Sequence, residues 1–158
     1  MAKESLRAFL HRWARSAPNP NGVTATLELF VADFGEEYLG RKWPSRVALG
    51  EPKQCYTNAA ELAMENGIYE YVEGYARNTK GRAFHFDHAW CVIGDRVVDP
   101  TLENAEDYEY LGVKVPTRQL ISIITAQDHF GILTGSDYEK FIADWKKSHQ
   151  PFEHGVGT

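Results

Sequence analysis

Cysteine is scarce in this chain, with two among 158 residues. That excludes a disulfide-stapled fold and a cysteine-rich structural zinc site, each of which needs several thiols. Long apolar runs are missing as well. None approaches the roughly 18 residues of a membrane span, and the opening MAKESLRAFLHRWARS is charged throughout, where a secretory signal needs an apolar centre. Basic excess is absent too. Seventeen Lys and Arg stand against twenty-two Asp and Glu, a net charge of −5, and no long Lys/Arg run forms the stripe that reads a nucleic-acid backbone. There is no internal repeat and no low-complexity tract. What remains is 43% hydrophobic, 25% charged and 13% aromatic, a globular composition over the length of one domain. The expectation is a single soluble, reduced, cytoplasmic domain over residues 1–158, with a frayed tail from 149. No cofactor, nucleic acid or membrane is expected as a partner.

Hydrophobic spacing divides the chain. Leu6, Phe9, Leu10 and Trp13 recur at helical intervals, which predicts a helix over 3–16 stopped by Pro18 and Pro20. Arg7, Arg12 and Arg15 are expected on its solvated face. Leu27, Phe30, Val31 and Phe34 predict a second helix over 24–38. Residues 40–53, with two glycines and two prolines, read as a long loop of the kind that is often functional. A third helix starts near Gln54 and stops at Asn66–Gly67, read as a left-handed helix end.

Alternation then predicts strands over 68–76, 84–93 and 96–99, with a polar turn at 77–82 and a tight turn at Gly94–Asp95. A short fourth strand is expected at 111–115, followed by helices over 117–128 and 136–148. Helices flanking a small antiparallel meander make an α+β class. Tyr69, Tyr71 and Tyr75 share one strand face with Glu73 between them, read as a packing, solvated or substrate-facing surface.

The two cysteines differ in kind. Cys55 stands in the first turn of a helix, where unpaired amides and the macrodipole favour a thiolate. Cys91 is in mid-strand between Trp90 and Val92, the setting of an inert buried thiol. If Gly94–Asp95 is a two-residue turn, Ile93 pairs with Arg96 and Asp99 falls opposite Trp90. His88 and Asp99 are then diagonal neighbours on one face, and Cys91 points to the other. Parity therefore selects Cys55 as the thiol that a base at His88 serves. Thiol, imidazole and carboxylate so related make an activated nucleophile.

The oxyanion of such a reaction needs donors. The Cys55 N–H is one, and the Gln54 amide, the Trp43 indole and the Asn58 amide are candidates for a second. A metal site is not expected. His85 and Asp87 face away from His88 on a strand and read as a polar pair at its edge. A zinc site from Cys55, His88 and Asp99 suits the ligand types but is the weaker reading.

QCYTNAAELAMENGIYEYVEGYA resembles the cysteine helix and following strand of transglutaminase-like proteins, and HAWCVIGDRVVDPT resembles their His-Ala-Trp and Asp-Pro-Thr strands. The likeness runs from Gln54 to Thr101 with Cys, His and Asp in the same order. It implies a papain-like (transglutaminase-like) fold, with the nucleophile helix packed on a small antiparallel sheet and flanked by helices. It also implies roles for Cys55 as nucleophile, His88 as base and Asp99 as orienting acid, and gives Trp43 some support as an oxyanion donor. The activity implied is acyl transfer at an amide: hydrolysis of a peptide, protein or small amide first. Transglutaminase or deamidase action on glutamine, or a silent protein that sequesters a ligand, are the alternatives. The short hairpin before His88 and the helices outside the matched segment depart from the family pattern.

Overall fold

The computed structural model describes residues 4–16, 23–42, 47–80 and 84–151. Five helices and five strands follow one another as α1 (Leu6–Ser16), α2 (Val23–Phe34), β1 (Glu36–Leu39), α3 (Cys55–Glu65), β2 (Glu70–Asn78), β3 (Phe86–Ile93), β4 (Arg96–Val98), β5 (Tyr108–Val115), α4 (Thr117–Gln127) and α5 (Tyr138–Ser148). The strands form a single antiparallel sheet in the order β1-β5-β2-β3-β4. The sheet curls into a half-barrel, far enough that its two edge strands approach within 8 Å.

The curl divides the core in two. All five helices cover one face, where Leu10, Val31, Ala59, Leu120 and Ile142 meet Tyr71, Cys91 and Leu111. The other face closes on a smaller cluster of Tyr38, Val72, Trp90, Val92, Val97 and Tyr110. Among the described residues, no helix is long and apolar enough to cross a membrane.

Several expectations need correction. The second helix ends at Phe34 instead of running to residue 38. Gly35 closes it by donating to the Val31 carbonyl, and Glu36–Leu39 leaves as an edge strand on β5. Tyr38 falls at a helical interval from Phe34 but packs in the smaller core. Arg7 is buried, not solvated. Its guanidinium donates to the carbonyls of Ala32 (2.5 Å) and Gly35 (2.8 Å), satisfying the C-terminal end of α2. Arg12 and Arg15 are exposed as expected.

β2 runs on to Asn78, where a turn is predicted, because β5 begins at Tyr108, three residues earlier than its apolar pattern, and pairs with it that far. Tyr69, Tyr71, Tyr75 and Glu73 are all buried under the helices, so that face is a packing surface and not a solvated one. α3 ends in extended backbone at Asn66, whose side chain accepts the N–H of Ile68; the left-handed helix end is not used.

Candidate active site

The turn at Gly94–Asp95 is the two-residue one, with Gly94 at φ 64°, and the register pairs Ile93 with Arg96 and Cys91 with Val98. His88 and Asp99 meet accordingly: His88 Nε2 donates to Asp99 Oδ2 at 2.7 Å, both side chains almost completely buried. The His88 ring stacks on Trp90, with centroids 6.0 Å apart and planes 17° apart, which fixes its plane. Among the described residues, four donors meet the Asp99 carboxylate. Its Oδ1 takes the N–H groups of Thr101 (2.9 Å) and Leu102 (3.1 Å), and its Oδ2 takes the hydroxyl of Tyr110 (2.9 Å) beside His88. A buried carboxylate so surrounded stays in one orientation.

Cys55 comes to this pair from the other face of the sheet. β4 pairs only residues 91–93 of β3, so the edge of β3 near His88 carries no strand. The first turn of α3 lies across that edge, tied at two points. The Tyr56 hydroxyl donates to Asp87 Oδ2 (2.7 Å), and Asn58 Nδ2 donates to Thr101 Oγ1 (2.9 Å). Cys55, half-buried as the first residue of α3, hydrogen-bonds the His88 ring. With Nε2 given to Asp99, Nδ1 is the ring nitrogen left to serve the sulfur.

Burial pulls the His88 pKa down. The hydrogen bonds to Asp99 and Cys55 outweigh it and push the pKa up to about 9. At neutral pH the imidazole is therefore held almost wholly as its cation, a proton donor toward the sulfur and the leaving group. Cys91 is unlike Cys55. It is fully buried, its thiol donates to the Ala59 carbonyl, and burial, with Asp99 adding to it, raises its pKa far above that of an ordinary thiol.

The candidates for oxyanion donor separate. Both protons of the Asn58 amide are spent, on Glu51 O (2.9 Å) and Thr101 Oγ1, so Asn58 is a brace between the loop, the helix and the strand end. The Gln54 N–H goes to Glu51 O (3.3 Å), which leaves its exposed side-chain carboxamide to offer. Cys55 itself begins the helix, so its N–H lies outside the helical ladder. Trp43 lies outside the described residues. Of the 40–53 loop, the part next to the site is pinned, with Gly50 N–H on the Pro100 carbonyl at 2.7 Å. Lys53 takes a left-handed φ of 63° two residues before the thiol, a local strain of the kind that clusters at functional positions.

Two residues of the site escape sequence reasoning. Tyr110 lies on β5, whose pairing partner nothing in the sequence indicates. Glu73, buried on the helical face, accepts from the Tyr71 hydroxyl and from the N–H groups of Ile132 and Leu133, and so anchors the segment after α4 to β2. His85 and Asp87 face away from His88: His85 lies against Glu28, and Asp87 holds Tyr56. Among the described residues, no three His, Cys, Asp or Glu side chains are grouped to hold a metal ion. No protein-family model, curated protein or solved structure matches the chain.

Proposed function

We propose that the chain is a cysteine-dependent acyl-transfer enzyme of the transglutaminase-like, papain-like kind, hydrolysing a peptide or side-chain amide. The observation that carries this reading is the buried His88–Asp99 hydrogen bond of 2.7 Å with Cys55 as the other partner of the ring. In this reading the thiol proton of Cys55 already rests on His88 at neutral pH, and the sulfur attacks the amide carbonyl as the thiolate. The oxyanion lies against the Cys55 N–H, with the Gln54 carboxamide or the Trp43 indole as second donor. His88 then returns the proton to the departing amine, leaving a thioester on Cys55. Water, deprotonated by His88, cleaves it. Water is always at hand, whereas amine transfer needs an acceptor site of its own, so hydrolysis is favoured over cross-linking. The cytoplasm, which keeps Cys55 reduced, is the fitting compartment.

The test is alkylation by iodoacetamide at pH 6, where a free cysteine is almost wholly protonated. Cys55 should be labelled rapidly and Cys91 not at all. Against a mixed peptide and small-amide library, Cys55→Ala should lose all turnover, while Cys91→Ser keeps it at a cost of about 1 kcal/mol in stability. Equal loss of activity in both variants, with Cys91→Ser folded by circular dichroism, sinks the assignment. Rapid labelling with no turnover on any amide returns the chain to a protein that binds without reacting.

A further inference from the structure

On the helical face of the sheet, beside the Cys55–His88 pair, lies a cavity of about 280 Å³. Two of its residues border the reacting groups: Tyr56 follows Cys55 in the chain, and the Phe86 ring lies 5.5 Å from that of His88. Its polar lining is acidic. Glu28, Glu73 and Asp87 meet one imidazole, His85, and no Lys or Arg lines it among the described residues.

The three carboxylates differ in what they have left to give. Glu73 is spent on Tyr71 and two backbone N–H groups. Asp87 is exposed and gives one oxygen to Tyr56. Glu28 is buried to 1% exposure, with His85 Nε2 2.6 Å from its Oε2, within ion-pair distance. Neither Glu28 Oε2 nor His85 Nδ1 has a hydrogen-bond partner, although the His85 side chain is only 9% exposed. A buried carboxylate oxygen outside any hydrogen bond is costly, and what it lacks is a donor. The Glu28 oxygen, the excess of carboxyl groups over cationic ones and the apolar stretch of Leu27 and Leu133 along the wall describe one kind of occupant. It has an aliphatic stem and a cationic, donor-rich head.

We propose that this cavity is the specificity subsite of the enzyme, taking an alkylammonium or guanidinium side chain of the substrate whose amide Cys55 attacks. Its volume is below that of pockets enclosing a whole small molecule, about 300–1,000 Å³, and fits one side chain. The proposal rests on the reading of Cys55 as nucleophile.

The experiment compares N-blocked lysyl, arginyl, norleucyl and glutamyl chloromethyl ketones as alkylating probes, with adducts located by mass spectrometry. In each, the sulfur–carbon bond forms as the carbon–chlorine bond breaks; chloride departs and His88 keeps the thiol proton. The lysyl or arginyl probe should label Cys55 at least tenfold faster than the norleucyl probe, and the glutamyl probe slowest. The two cationic arms tell ammonium from guanidinium. The cationic-to-norleucyl rate ratio should fall toward one in Glu28→Gln and in Asp87→Asn. The latter changes an exposed side chain and keeps the test open if the buried variant fails to fold. A wild-type ratio near one, with Cys55 labelled by every probe, overturns the subsite and leaves the nucleophile standing. Failure of both iodoacetamide and all four ketones to label Cys55 overturns the nucleophile reading, and the subsite with it.

Discussion

The His88 imidazole is lifted from its ordinary 6.5 to about 9 although burial works against it, so its hydrogen bonds to Asp99 and Cys55 must outweigh the desolvation. Such a shift links stability to pH. The folded pKa lies above the unfolded one, so the stabilisation is complete below pH 6.5 and is lost as pH rises through about 9. At full strength it amounts to about 3 kcal/mol. Urea unfolding of the protein and of His88→Gln should therefore diverge most near pH 6 and converge by about 3 kcal/mol by pH 9.5. A gap that stays constant over that range means that His88 is not held by its partners as described. The His88–Asp99 pair was legible in the sequence because it depends on one two-residue turn and on side-chain parity. Tyr110, which shares Asp99 Oδ2 with His88, and Arg7, which closes α2, were not legible, since each finds its partner only through the tertiary fold.

At the scale of elements, two paired glycines permit the curl. Gly74 and Gly112 stand opposite each other on β2 and β5. A Cβ on Gly112 would meet the far edge of the Trp90 indole at 2.7 Å and the Glu73 carbonyl at 2.8 Å. Trp90 is the floor on which His88 stacks, so this close approach reaches the His88–Asp99 pair through one ring. Gly112→Ala should cost about 1–3 kcal/mol by urea denaturation. Gly67→Ala, whose Cβ would meet nothing within 4 Å, should stay within about 1 kcal/mol of the parent. Equal effects of the two would remove the steric account. The helices and the β3–β4 hairpin were foreseen because their periodicity is local. β1 was not, because four residues, EEYL, carry no alternation strong enough to outweigh the helical interval from Phe34 to Tyr38.

At the scale of the whole molecule, β1 is paired only to β5 among the described strands, and β5 lies between it and β2. The β2–β3–β4 hairpins can form from neighbouring sequence, but residues 36–39 and 108–115 meet only across a long stretch of chain. Closing so long a loop makes non-local pairing the slow step of folding. Leu111→Ala should therefore act mainly by slowing refolding, whereas Val97→Ala, in the local hairpin, should act mainly by speeding unfolding, as read from the two arms of a chevron plot. The reverse assignment of the two arms would place the hairpin, not β5, in the transition state.

That order of assembly bears on the nascent polypeptide. A ribosome that has just joined Asp99 has already made the thiol, the imidazole and the carboxylate, yet Tyr110, which donates to that carboxylate, and the strand that carries it are still to be translated. The same holds for the segment around Ile132 and Leu133 that Glu73 anchors on the helical face. A reactive cysteine exposed on a half-made chain would be a hazard to whatever lay beside it. On the proposed reading of Cys55 as nucleophile, translation itself delays its arming until the later strands and helices have emerged.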